Sequence, residues 1–164
     1  NGDSIPTNLS NSTWQNTTSG AYAIYNNTAS NDSIYGKLYN WYAVADSRGL
    51  CPTGWHVPGD ADVLTLENFL GGSSVAGGKM KAVSSLWTAP NTGATNSSGF
   101  TGLPGGNRDG NGTFFFIGFF GYWWSSTQAS SPDAWYRVLS YVNANSYRDL
   151  ITKTYGFSVR CVRD

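Results

Sequence analysis

The sequence predicts an α+β domain with one or two helices, a group of late antiparallel strands and long ordered loops. Three observations predict it. Apolar residues recur at helical spacing in one clear place, Val63, Leu64, Leu66, Phe69 and Leu70. The last third alternates strand-like runs (FFFIGFF, YWWSST, AWYRVLSYV, SYRDL, FSVRCV) with the turns QASSPD and NAN. Composition supplies the third: only 12% of residues are charged and 15% are aromatic, amid abundant Gly, Asn, Ser and Thr. Rings must therefore provide much of the burial. A length of 164 residues suits one domain, 1–164, with an N-terminal polar segment over 1–34 and a core over 35–164.

In chain order, residues 1–34 are polar and turn-rich, with Trp14, Tyr22, Ile24 and Tyr25 as anchors and AYAIY as a short strand. GKLYNWYAVA, 36–45, reads as a short helix or irregular segment packed inward. Pro52 and Pro58 keep LCPTGWHVP extended. Gly59 and Asp60 can cap the helix that follows, and Gly71 and Gly72 stop it. AGGKMKAV is short enough to be an edge strand. From 88 to 112 the chain is nearly all Gly, Asn, Thr, Ser and Pro, and Phe100 and Leu103 anchor it as an ordered loop. In GYWWSST a strand points Tyr122 and Trp124 one way and Trp123 the other.

Formal net charge is zero and no run of Lys or Arg occurs, so neither nucleic acid nor an anionic membrane is an expected partner. No apolar run approaches the roughly 18 residues of a membrane span, and the first residues do not read as a signal peptide. The two cysteines, Cys51 and Cys161, fit an exported protein with one disulfide; the alternative is a pair of buried free thiols.

The blocks GKLYNWYAVAD, LCPTGWHVPGDADVLTLENFLGG, VAGGKMK, GFTGLPGG, GYWWSST, AWYRVL and GFSVRCVRD together resemble the Fibrobacter succinogenes major paralogous domain. That resemblance covers essentially the whole chain. It implies a C-type-lectin-like fold, an extracellular or cell-surface location, and recognition or adhesion with no established reaction. It also places Cys51 and Cys161 at structural positions. The same fold serves carbohydrate and protein binding and carries the variable surfaces of retroelement-diversified proteins, so fold alone does not choose a ligand.

Catalytic residues are not expected. His56 is the only histidine and reads as a satisfied core residue; Glu67 is the only glutamate and reads as lying on the helix's solvated side. No G-x-S-x-G elbow and no close acid pair occur. Asn107, Asp109 and Asn111 alternate in a Gly-rich loop, a pattern that suits calcium. With one carboxylate in reach, a tight turn in which Asp109 accepts from backbone amides is the better reading, and no cofactor is expected. Alternation in AWYRVLS separates Trp135, Arg137 and Leu139 from Tyr136, Val138 and Ser140; the resemblance implies that the first set builds the fold, which turns the second outward. Tyr136 and Ser140, joined by Asn143, Asn145 and Tyr147 of the next turn and by Gln128 and Ser130 of the preceding one, then form a neutral patch for a protein or carbohydrate ligand. The alternative is a structural domain of a surface or fibre protein with no dedicated ligand.

Overall fold

In a computed structural model, residues 4–164 are described. The order is α1 (Asn11–Asn16), β1 (Tyr22–Ile24), α2 (Ser30–Tyr35), β2 (Lys37–Tyr39), α3 (Trp41–Val44), β3 (Trp55–His56), α4 (Asp60–Phe69), α5 (Ser73–Met80), β4 (Gly105–Arg108), β5 (Phe114–Ile117), β6 (Phe120–Gln128), β7 (Asp133–Ser140), β8 (Ser146–Thr152) and β9 (Val162–Arg163). The fold is α+β, with more and shorter helices than expected. Five late strands form one sheet in the order β5-β4-β6-β7-β8, antiparallel except where β4 meets β6. Two small antiparallel pairs, β1–β2 and β3–β9, stand beside it.

This sheet is covered on both faces. Trp123 and Leu139 lie on one face and pack with Leu70, Ala76, Met80 and Trp87. Trp124 and Tyr136 lie on the other and pack with Trp41, Val44, Val57 and Phe157. Both tryptophans of GYWWSST are therefore core: Trp124 is 1% exposed and Trp123 9%. The Trp124 indole also donates to the Tyr39 carbonyl at 2.7 Å, so its one polar group is satisfied.

The N-terminal polar segment is part of the core. Ser10 caps α1 by accepting from the Thr13 amide at 3.1 Å, and the helix inserts a fully buried Trp14. Arg108 of β4, also fully buried, lies 4.4 Å over the Trp14 ring and donates to the Leu9 and Gly112 carbonyls. Asn40 joins the next layer, its side-chain oxygen accepting from the Ala21 and Ala43 amides.

AGGKMKAV is helical, not an edge strand. Its glycines permit close packing: a Cβ at Gly77 would overlap the Asn145 carbonyl, and one at Gly78 the Gly93 carbonyl. The Gly78 amide donates to Ala144 O at 2.9 Å, fastening α5 to the β7–β8 turn. Lys81, just beyond, is fully buried and donates to Thr92 O, Ser140 O and Asn143 O at 2.7–2.8 Å. Burial pushes its ammonium down to about 8, while three carbonyl acceptors match its three N–H donors.

Cys51 and Cys161 form a disulfide, with Cα atoms 5.9 Å apart and a sequence separation of 110. It ties the segment before β3 to the segment before β9. No helix among the described residues is long and apolar enough to cross a membrane.

Candidate functional site

The neutral patch expected on β7 does not assemble. Tyr136 is only 9% exposed, and burial pushes its hydroxyl up to about 12. Its ring sits 4.8 Å from that of Phe157. Ser140 is buried as well. Alternation does separate Tyr136 from Arg137, but the face assigned to solvent is covered by segments distant in sequence. The remaining residues fall into two groups. Gln128 and Ser130 are exposed at the turn before β7, whereas Asn143, Asn145 and Tyr147 surround the turn after it. An eight-residue strand puts those turns about 25 Å apart. Asn143 donates to the Tyr147 hydroxyl at 3.0 Å, so only this second group is a local cluster.

The inward face of β7 carries an ionic network that the sequence reading missed. Arg137, 3% exposed, donates through Nε to Glu67 Oε1 and through Nη1 to Asp60 Oδ1, each at 2.8 Å. Glu67 is not on a solvated helix face: it is 3% exposed and also accepts from Ser146 Oγ at 2.7 Å. Asp60, at the start of α4, accepts from Arg148 Nε at 2.9 Å, and the Arg148 guanidinium lies 3.4 Å over the half-buried Trp135 ring. Burial works against the Asp60 charge, but Arg148 and Arg137 hold it below the ordinary carboxylate range. The signal was available: an arginine between inward Trp135 and Leu139 needs a buried carboxylate, and α4 carries the chain's single glutamate.

Beside this network a cleft of about 200 Å³ opens between α4, β6, the 98–100 loop and the C-terminal segment. Its walls are mainly apolar, from Val63, Leu66, Met80, Phe100, Trp123 and Val162. Phe100 meets Trp123 edge-on at 5.3 Å. Arg137 contributes to the lining, and its Nη2 is buried with no hydrogen-bond partner. Asp62 and Arg160 are exposed at the mouth, where Arg160 donates to Phe100 O at 2.9 Å and lies over the Phe100 ring.

His56 is exposed rather than core. Nδ1 lies 2.6 Å from Asp164 Oδ1 and Nε2 3.4 Å from Asp62 Oδ2. The hydrogen bond to Asp164, then that to Asp62, raises its pKa above the ordinary 6.5. The 105–112 loop adopts the expected turn: Asp109 Oδ1 accepts from the Asn111 and Thr113 amides at 3.1 and 2.9 Å. Asn107 is buried in β4, and Asn111 caps Thr113. Asp109 Oδ1 and Asn111 Oδ1 are thus both spent on the turn. Phe115, Phe116 and Phe119, around the turn that links β5 to β6, form an exposed aromatic patch next to Tyr141.

No curated protein and no solved structure matches the chain significantly. The family model of the Fibrobacter succinogenes major domain matches residues 1–163, in agreement with the motifs around the disulfide and the tandem tryptophans, and the chain belongs to that family.

Proposed function

We propose that this chain is a non-catalytic extracellular recognition domain of a bacterial or phage surface protein. It engages a glycan or protein ligand through the cleft at the head of its C-terminal strands. The C-type-lectin-like arrangement implied by the sequence motifs is part of this proposal, as is diversification of the surface by a retroelement. The observation that carries it is the apolar cleft itself, concave, lined by Trp123 and Phe100 and seated on the rigid β6–β7 ladder. A disulfide closing a 110-residue separation supports an oxidising, extracellular setting.

The test is a screen of the full chain on glycan and peptide arrays, repeated with Phe100→Ala and Tyr147→Ala. Binding that Phe100→Ala abolishes and Tyr147→Ala spares places the ligand in the cleft. The reverse pattern moves it to the Asn143–Tyr147 cluster, and binding to neither array under any condition removes the reading. A second reading, a building block of a surface assembly without a dedicated ligand, is favoured by the exposed Phe115, Phe116 and Phe119. Concentration-dependent self-association in sedimentation, lost on Phe115→Ser with Phe119→Ser, would support it.

A further inference from the structure

We propose that His56 is a pH-sensitive clasp between two walls of the cleft, fastening the C-terminal segment to α4 when protonated and loosening it when neutral. Such a clasp needs no ligand and is independent of the recognition reading above. The first observation is where the ring sits. His56 lies in β3, which pairs with β9 through two residues, Trp55 with Arg163 and His56 with Val162. Its Nδ1 is 2.6 Å from Asp164 Oδ1, just past β9, and its Nε2 is 3.4 Å from Asp62 Oδ2, in the first turn of α4. Val162 and Asp62 both line the cleft, so one side chain joins the elements that form two of its walls.

The count of protons decides what the ring can hold. An imidazolium has two N–H donors, one for each carboxylate, whereas a neutral imidazole has one donor and one lone pair. The shorter contact, to Asp164, keeps the donor. The Nε2 lone pair is then left towards Asp62 Oδ2, acceptor against acceptor, and the link to α4 is lost. Asp62 is not free to turn away, because the same oxygen accepts from the Gly59 amide at 2.8 Å.

The other charges nearby are occupied. On β9, Arg163 is the register partner of Trp55. On α4, Asp60 accepts from Arg137 and Arg148, and at the mouth of the cleft Arg160 donates to Phe100 O. Ser126 of β6, which shares a pocket with His56, is uncharged. The bond to Asp164, then that to Asp62, raises the His56 pKa above 6.5, so the change of state falls near neutral pH.

The wall that the clasp fastens is lightly held. Ser158 is bonded to β6 through Tyr122 O and the Trp124 amide. Beyond it the segment is tied by Arg160, by the disulfide at Cys161, by the two-residue ladder and by the Asp164 amide, which donates to Gly54 O at 3.1 Å. Short exposed ladders of this kind open locally at small cost. The His56 side chain is 46% exposed, so its protonation shifts that opening by about twofold to fivefold and does not unfold the domain.

The experiment is a pH titration of the full chain by NMR. It reads the His56 ring, the Met80 methyl and Trp123 indole inside the cleft, and the exchange protection of the Asp164 amide. A His56 pKa above 6.5 is expected, lowered by Asp164→Asn and by Asp62→Asn. The Met80 and Trp123 signals should titrate with the same midpoint, and protection of the Asp164 amide should fall by about twofold to fivefold on the high-pH side. His56→Gln, at an exposed position, should leave the melting temperature near its high-pH value and abolish the coupled shifts. A His56 that titrates while the cleft signals and the Asp164 protection stay flat overturns the clasp, as does a pKa at or below 6.5. Cleft signals that titrate unchanged in His56→Gln overturn it too, since another group then drives them.

Discussion

Replacing Glu67 by Ala separates the structure from the sequence reading more sharply than any other single change. On a solvated helix face the substitution would be worth within about 0.5 kcal/mol. In the structure Glu67 is 3% exposed and holds both Arg137 Nε and Ser146 Oγ. Its loss leaves a buried guanidinium with Asp60 as its remaining carboxylate and adds Nε to the unpartnered Nη2. Breaking one side of a buried ion pair costs about 3–5 kcal/mol. For a domain of this size that lowers the melting temperature by about 6–20 °C. Glu67→Gln keeps an oxygen at both contacts and removes only the charge, so its cost should be nearer 1–3 kcal/mol. Glu67→Leu combined with Arg137→Met should cost less than the sum of the single changes, with a coupling of about 1–3 kcal/mol. The assay is urea unfolding followed by tryptophan fluorescence, since guanidinium chloride would screen charges while it denatures. The loss should persist in high salt, because a desolvated pair is screened weakly. A Glu67→Ala effect below about 0.5 kcal/mol, or strict additivity with Arg137→Met, would refute the buried network.

Reducing Cys51–Cys161, or replacing both with Ala, should lower stability by about 4–5 kcal/mol in the chain-entropy account, and peptide mapping without reductant should recover the two segments cross-linked. Tyr136→Ala should destabilise by about 3–5 kcal/mol, as loss of a core ring does, whereas Tyr147→Ala should stay within about 0.5 kcal/mol; equal effects would mean that β7 is turned over. His56 has a folded pKa raised above 6.5, so its stabilising contribution is fully present below pH 6.5 and is lost as pH rises through the raised value. His56→Gln should remove that component from a plot of stability against pH, and an unchanged profile would show that the Asp164 and Asp62 contacts do not form in solution.

Much of the fold was legible because its signals are local. Helix α4 lies between Gly59 and Gly71 as the spacing of Val63, Leu66 and Leu70 requires, and the alternation in YWW sorts Trp123 from Trp124 correctly. The misreadings have a common origin in distance along the chain. Alternation says that Tyr136 and Arg137 face opposite ways, but what covers each face comes from Trp41, Val57 and Phe157 on one side and from α4 and α5 on the other. Helix α5 escaped notice because Gly77 and Gly78 have poor helix propensity; their value lies in contact with the Asn145 and Gly93 carbonyls, which local sequence does not reveal. The cleft was illegible for the same reason, since Phe100, Trp123 and Val162 meet only in the folded chain. The splitting of the expected patch is different. Gln128 and Asn143 lie beyond opposite ends of one strand, and hairpin geometry alone forbids them from sharing a site.

The turn between β7 and β8 is held in place largely by donors that belong elsewhere and bond to its main-chain carbonyls. Ala144 O receives the Gly78 amide, Asn143 O receives Lys81 Nζ, and Tyr141 O receives the Thr92 amide. One bond within the turn, from the Asn145 amide to the Asn143 side chain, depends on a turn residue's identity. The shape of this loop is thus stored in its neighbours, as the form of a tool bit is kept by its chuck. Exchanging the side chains at Val142 or Asn145 changes what the loop presents while its path stays fixed. A lineage could rewrite those positions repeatedly without refolding the domain, and a laboratory library could do the same.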